Sequence, residues 1–231
     1  MLAGARREYS FRAPELRIVR TLRRDADNFV MTHSTKQRLI DAGLPMLLEQ
    51  GYNDLGIQAL LTATKTPKGS FYHHFRDKED FALQVIDAYI AIVQVDLDAC
   101  LLDTKRPPLA RVRRFFERMQ KMYREQGYMG CLLGGLGQEL SGVSEVFRRK
   151  IEGCFSAIAE RMAACLGEAR QRGEIPADCD VRQMADLLVD CWEGAALRSR
   201  LRRNPASLNA MLNFYLRSVI TAGPRRTRSK V

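Results

Sequence analysis

The chain reads as all-α, an N-terminal three-helix helix-turn-helix unit followed by a larger helical domain, and three observations predict this. Apolar residues recur at three- and four-residue spacing over most of the length. The few β-branched runs lie inside those helical periods, and no repeat is visible. Breaks fall at helix-length intervals, at Pro67, at Pro107 and Pro108, between Gly173 and Asp180, and at Asn204 and Pro205.

The first segment has weak periodicity around Ile18, Val19 and Leu22 and is crowded with Arg6, Arg7, Arg12, Arg17, Arg20, Arg23 and Arg24. Residues 1–33 are expected to form a basic, flexible extension, and Met1 and Met31 both stand as candidates for the natural start. From Thr35 to Gln50, one face carries Leu39, Ile40, Gly43, Leu44, Leu47 and Leu48, which predicts a helix. Ile57, Leu60 and Leu61 predict a second, short helix. Phe71 and Phe75, four apart, predict a third over Lys68 to His74, with Pro67 at its first position and Thr66 as cap. These three share a small core over residues 34–80.

Asp77, with Asp80 three residues on, caps a long helix running to Leu102, whose apolar residues cover more than one face, as a helix packed between two units requires. Pro107 and Pro108 interrupt the chain, and an amphipathic helix resumes before Gly127. Between Gly130 and Gly142, the glycines at 134, 135 and 137 stand among leucines and predict irregular backbone open to close approach. A helix from Ser144 to Arg172 follows, then two more over 181–203 and 208–220. The second domain is expected over 81–222, with a basic flexible tail at 223–231 holding Arg225, Arg226, Arg228 and Lys230.

Over 231 residues the net charge is +10 and the isoelectric point about 9.6, which favours nucleic acid or an anionic surface as partner. Six cysteines without a CxxC pair argue against a zinc ribbon or a secreted disulfide scaffold. Glu139 with Glu145, and Asp186 with Asp190, are helix-spaced acids without a nucleophile, base and metal cluster, so no catalytic or metal-ligating residue and no cofactor is assigned. No apolar run approaches eighteen residues and the N-terminus lacks a signal-peptide core; a cytoplasmic protein without a membrane partner is expected.

The outward residues of the third helix, Lys68, Ser70, Tyr72, His73 and His74, all offer charge or hydrogen bonds, and Gly69 lets backbone approach a phosphate. The element has the character of a DNA reader. Pro67 to Phe75, followed by Asp77, Lys78, Glu79 and Phe81, closely resembles the DNA-binding signature of TetR-type repressors, and Gly51, Tyr52 and the helix before them are similar too. Lys65 and Thr66 stand where that signature usually has glycine and valine; Lys65 there meets a turn that favours positive φ, and can reach DNA. The resemblance implies operator DNA as partner, a homodimer built from Asp180–Leu201 and Ser207–Ile220, a small-molecule effector and a bacterial cytoplasmic, nucleoid-associated location. Met184, Leu187, Leu188, Cys191, Ala195, Met211, Leu212, Tyr215 and Leu216 fit either that interface or the chain's own core. Lys68, Ser70 and His73 are candidates for base edges, Tyr72 and Lys78 for phosphates.

Gly130 to Arg148, with Gln138, Glu139, Ser144 and Phe147, and the later Cys191 to Ala195 resemble a subgroup responding to electrophiles such as N-ethylmaleimide and aldehydes, or to acrylate. Cys131 is the candidate sensor if a cation lowers its pKa, and an inert small hydrophobe if buried between Leu132 and Leu133. Trp192 has the area to wall a pocket or to fill a core, with Glu193 and Arg198 as polar anchors, an arginine suiting a carboxylate. A DNA-binding protein without ligand and an activator of the same fold are the alternatives.

Overall fold

The computed structural model describes residues 34–221; the N-terminal extension, Met31 and the basic tail lie outside them. Among the described residues there are nine α-helices: α1 Thr35–Asp54, α2 Ile57–Thr64, α3 Lys68–His74, α4 Lys78–Leu101, α5 Pro108–Glu125, α6 Leu132–Leu140, α7 Glu145–Gln171, α8 Val181–Arg202 and α9 Ala206–Thr221. The fold is all-α, as the periodicity predicts.

The head is organised by three rings. Phe71 and Phe75 of α3 and Phe81 of α4 lie 5.0–5.5 Å apart, centroid to centroid, and are almost wholly buried. Such a cluster combines large apolar burial with favourable edge and tilted ring contacts. A Cβ at Gly43 would collide with the Phe81 ring, so that glycine is what lets α4 lie against α1. Asp77 caps α4 as expected, accepting from the Asp80 N–H at 2.8 Å, and Asp80 in turn accepts from the Arg76 N–H at 3.0 Å.

Three local expectations are corrected. Thr66 does not cap α3: it is buried, Pro67 takes the cap position itself, and the preceding turn closes by Thr66 N–H to Leu61 O at 3.0 Å. The first helix does not stop at Gln50 but resumes beyond a kink at Gly51, whose φ of +79° and ψ of −176° are open almost only to glycine. The glycine-rich segment is mostly helical, because Leu132, Leu133, Leu136 and Leu140 bury one face and outweigh the low helix propensity of glycine. Lys65 does adopt the left-handed conformation, φ +52°, and ends α2 there.

In the body, α4, α5, α7, α8 and α9 pack in sequence-adjacent and crossing pairs, while α6 bridges α1 and α7. Arg111, almost fully buried, donates to Leu101 O at 2.6 Å and pairs with Glu168, tying the end of α4 to α5 and α7. The residues that fitted core or interface divide. Leu188, Ala195, Leu212, Tyr215 and Leu216 are buried within the chain, whereas Leu187 is exposed. Gly51→Ala is expected to destabilise the protein by about 1–3 kcal/mol through its backbone conformation, measured as a lowered urea midpoint at unchanged slope.

Candidate functional site

With Phe71 and Phe75 turned inward, α3 leaves Lys68, Gly69, Tyr72 and His73 exposed, and Ser70 and His74 half-buried beside them. Lys65, placed by its left-handed turn, joins this surface. It lines a shallow groove of about 380 Å³ with Gln58, Thr62 and Lys68 at the α2–α3 turn. Gln58 and Thr62 were not singled out from sequence; their signal was the polar face of α2 opposite Leu60 and Leu61. Lys78 points elsewhere: its Nζ donates to Asn53 O at 3.1 Å and lies 4.6 Å from the Tyr52 ring centre.

A second cluster forms where α4, α5, α6 and α8 meet. Cys131 sits at the N-cap of α6, its Sγ 3.8 Å from the Tyr89 hydroxyl. The Glu193 carboxylate lies against that thiol and so close to Gly134 that a Cβ there would strike it. Trp192 is buried, 4.6 Å from the Phe116 ring and 6.0 Å from Tyr123. Burial pushes Glu193 up to about 7. Burial, and then the Glu193 charge, push the Cys131 thiol well above its ordinary range. The sensor expectation of a thiol beside a cation is therefore not met: the neighbour is an acid, which disfavours the thiolate.

Of the remaining expected residues, Gln138 and Arg198 are exposed and outside this cluster. Glu139 lies apart from Trp192 and Glu193, accepting from the backbone N–H of Tyr52 at 2.8 Å and of Asn53 at 2.6 Å, though it shares a cleft with Cys131. The arginine that faces a cavity is Arg200. It lines a cleft of about 180 Å³ between the end of α1 and α6, together with Leu47, Cys131, Leu136 and Glu139. The signal for it was helical spacing, since Trp192, Ala196 and Arg200 repeat every four residues whereas Arg198 falls on another face. Among the described residues, no group of three or more His, Cys, Asp or Glu side chains is placed to hold a metal ion. No described helix is long and apolar enough to cross a membrane.

A short helix held by an aromatic core with its polar face outward, on a head joined to a helical body, defines a helix-turn-helix DNA-binding regulator. The model for bacterial regulatory proteins of the tetR family matches residues 39–85, and that for the tetracyclin repressor-like C-terminal domain matches 108–215. The chain belongs to the tetR family, whose members bind operator DNA as dimers.

It is 39% identical to the transcriptional regulator AcuR of Cereibacter sphaeroides, over 80% of this chain and 85% of that protein. It is 31% identical to the HTH-type transcriptional repressor DhaR of Mycobacterium sp. strain GP1, over 80% of this chain and 92% of that one. Among solved structures, a regulatory protein TetR from Rhodobacter sphaeroides superposes with a TM-score of 0.75 at 39% identity, covering 78% of this chain and 96% of that one.

The Glu193 carboxyl has a stability signature. Unfolded, it ionises in the ordinary carboxylate range; folded, near pH 7. Between these the native state holds the extra proton, so stability falls as pH rises through the window and levels above it. Glu193→Gln is expected to remove this slope, amounting to about 3 kcal/mol at most for such a shift, in urea unfolding followed from pH 4 to 8.

Proposed function

We propose that this protein is a ligand-responsive transcriptional repressor that binds operator DNA as a homodimer and releases it on taking up a small electrophile or small unsaturated acid. The observation that carries the DNA-binding half is the outward face of α3. A Cβ at Gly69 would meet nothing within 4 Å. The fold therefore leaves room there that a DNA backbone can use.

Two copies of α3 enter successive major grooves, with half-sites about 34–36 Å apart. Lys68, Ser70 and His73 read base edges; Tyr72, His74, Gly69 and Lys65 meet the backbone. Lys78 contributes by holding the end of α1. The two-fold partner covers α8 and α9, where Leu201 and Phe214 are 66% and 75% exposed and Leu187 and Leu197 are exposed as well.

Effector chemistry centres on Cys131, which stands between the Arg200 cleft and Glu193. Arg200 is suited to a carboxylate through its paired donors. As the Cys131 sulfur bonds to the carbon β to the activating carbonyl of an electrophilic double bond, its proton passes to Glu193 and then to the α carbon, so the thiol need not rest as thiolate. Occupation of this corner, walled by Tyr89 of α4, shifts α4 and with it the separation of the two heads. The names of DhaR and, at 25% identity, of Escherichia coli NemR record repression in those relatives.

A mobility shift on DNA flanking the protein's own gene, with N-ethylmaleimide, methylglyoxal and acrylate, tests the reading. Sequence-specific binding released by at least one of them is expected, and Cys131→Ser is expected to abolish release by N-ethylmaleimide; binding that none releases would leave a regulator without this trigger. Gly69→Ala is expected to leave thermal stability unchanged or raised by up to about 1 kcal/mol and to weaken operator binding in the same assay. Equal operator affinity would remove the close approach at Gly69.

A further inference from the structure

The end of α1 beyond the Gly51 kink is held by three side chains from α4, α6 and α7. Glu139 of α6 accepts one N–H on each carboxylate oxygen, Tyr52 on Oε2 and Asn53 on Oε1. Lys78, at the start of α4, takes the Asn53 carbonyl. Phe147 of α7 meets the Tyr52 ring edge-on at 5.2 Å. The two N–H groups need an acceptor because the helix ladder is broken at Gly51, and unpaired backbone donors are costly. Gly51 also makes room for that acceptor: a Cβ there would lie 2.6 Å from Glu139 Oε2.

Residues 52 and 53 lead directly into Leu55, which is buried, and then into α2 and α3. This short backbone segment is therefore one of the links that set the orientation of the reading helices relative to the body, beside the ring contacts of α3 with α4. A carboxylate is well matched to two neighbouring donors, since each oxygen accepts one charge-assisted bond. An amide keeps only one such oxygen, and alanine keeps none.

We infer that Glu139 is a positioning residue of the reading head, and that its paired bonds to Tyr52 and Asn53 set which half-site spacing the dimer accepts. The inference rests on the operator-binding reading. Cys131 stands at the N-cap of α6 and Glu139 in its last turn. α6 thus reaches from the Glu193 corner to the base of the head, a second route beside the stretch of α4 from Tyr89 to Phe81.

The test uses the full chain and an operator selected from random DNA, together with copies whose half-sites are moved by one and two base pairs in either direction. Binding is followed by anisotropy at fixed salt. The wild type is expected to lose about tenfold in affinity per base pair of displacement, the effect of roughly 1.4 kcal/mol. Glu139→Ala is expected to lose less than about threefold, with Glu139→Gln between them. Glu160→Gln, exposed on α7, is expected to match the wild type.

Destabilisation alone lowers affinity equally at every spacing, so the ratio between spacings, not the affinity, is decisive. Wild-type ratios in Glu139→Ala would overturn the inference even if its melting temperature fell. If the alanine variant does not fold, wild-type ratios in Glu139→Gln would do the same. A wild type that selects no operator would instead defeat the operator-binding reading itself.

Discussion

A carboxylate and two backbone amides tie the base of the head to the body, beside the packing of α1 and α3 on α4. Glu139 lies 87 residues from Tyr52, yet it supplies the acceptors that a kinked helix end lacks. Around that contact other features become intelligible. Gly51 provides both the backbone bend and the space. Lys78 is drawn inward to the Asn53 carbonyl and the Tyr52 ring instead of outward to solvent. The glycine-rich segment forms a helix that carries Glu139 on one side and buries leucines on the other.

The second organising element is aromatic. Phe71, Phe75 and Phe81 fix α3 by its inner face, so the seven-residue reader does not depend on its own weak propensity to be helical. A helix this short in isolation would not persist. The same cluster anchors the first turn of α4, and any change transmitted along α4 reaches the reader through Phe81. The body provides two candidate inputs to that system: the Tyr89 contact with Cys131 on α4, and the Gly134 contact with Glu193 on α6.

Legibility from sequence followed the range of the interactions. The head was readable because its determinants are local: Phe71 and Phe75 four apart, Asp77 before a long apolar period, and a turn residue whose left-handed conformation could be anticipated at Lys65. The all-α class followed from periodicity alone. Thr66 misled because hydroxyl residues before proline resemble caps, while burial took this one into the core. In Gly130–Gly142 the glycines argue for irregular backbone, and the buried leucine face overrides them. The partners of Glu139, the turning inward of Lys78, and Glu193 beside Cys131 all depend on contacts between residues far apart in the chain. Arg200 was within reach of helical spacing from Trp192, and Arg198 was not on that face.

The measurement that bears most directly on this account is residue-resolved amide hydrogen exchange at Tyr52 and Asn53 in the full chain, compared between wild type and Glu139→Ala. If the carboxylate holds the base of the head, both amides are protected in the wild type and lose that protection in the variant, while Leu47 and Leu48 in the buried part of α1 exchange as slowly as before. Equal exchange at Tyr52 and Asn53 in the two proteins would contradict it, and would leave the ring contacts of α3 with α4 as the link between head and body.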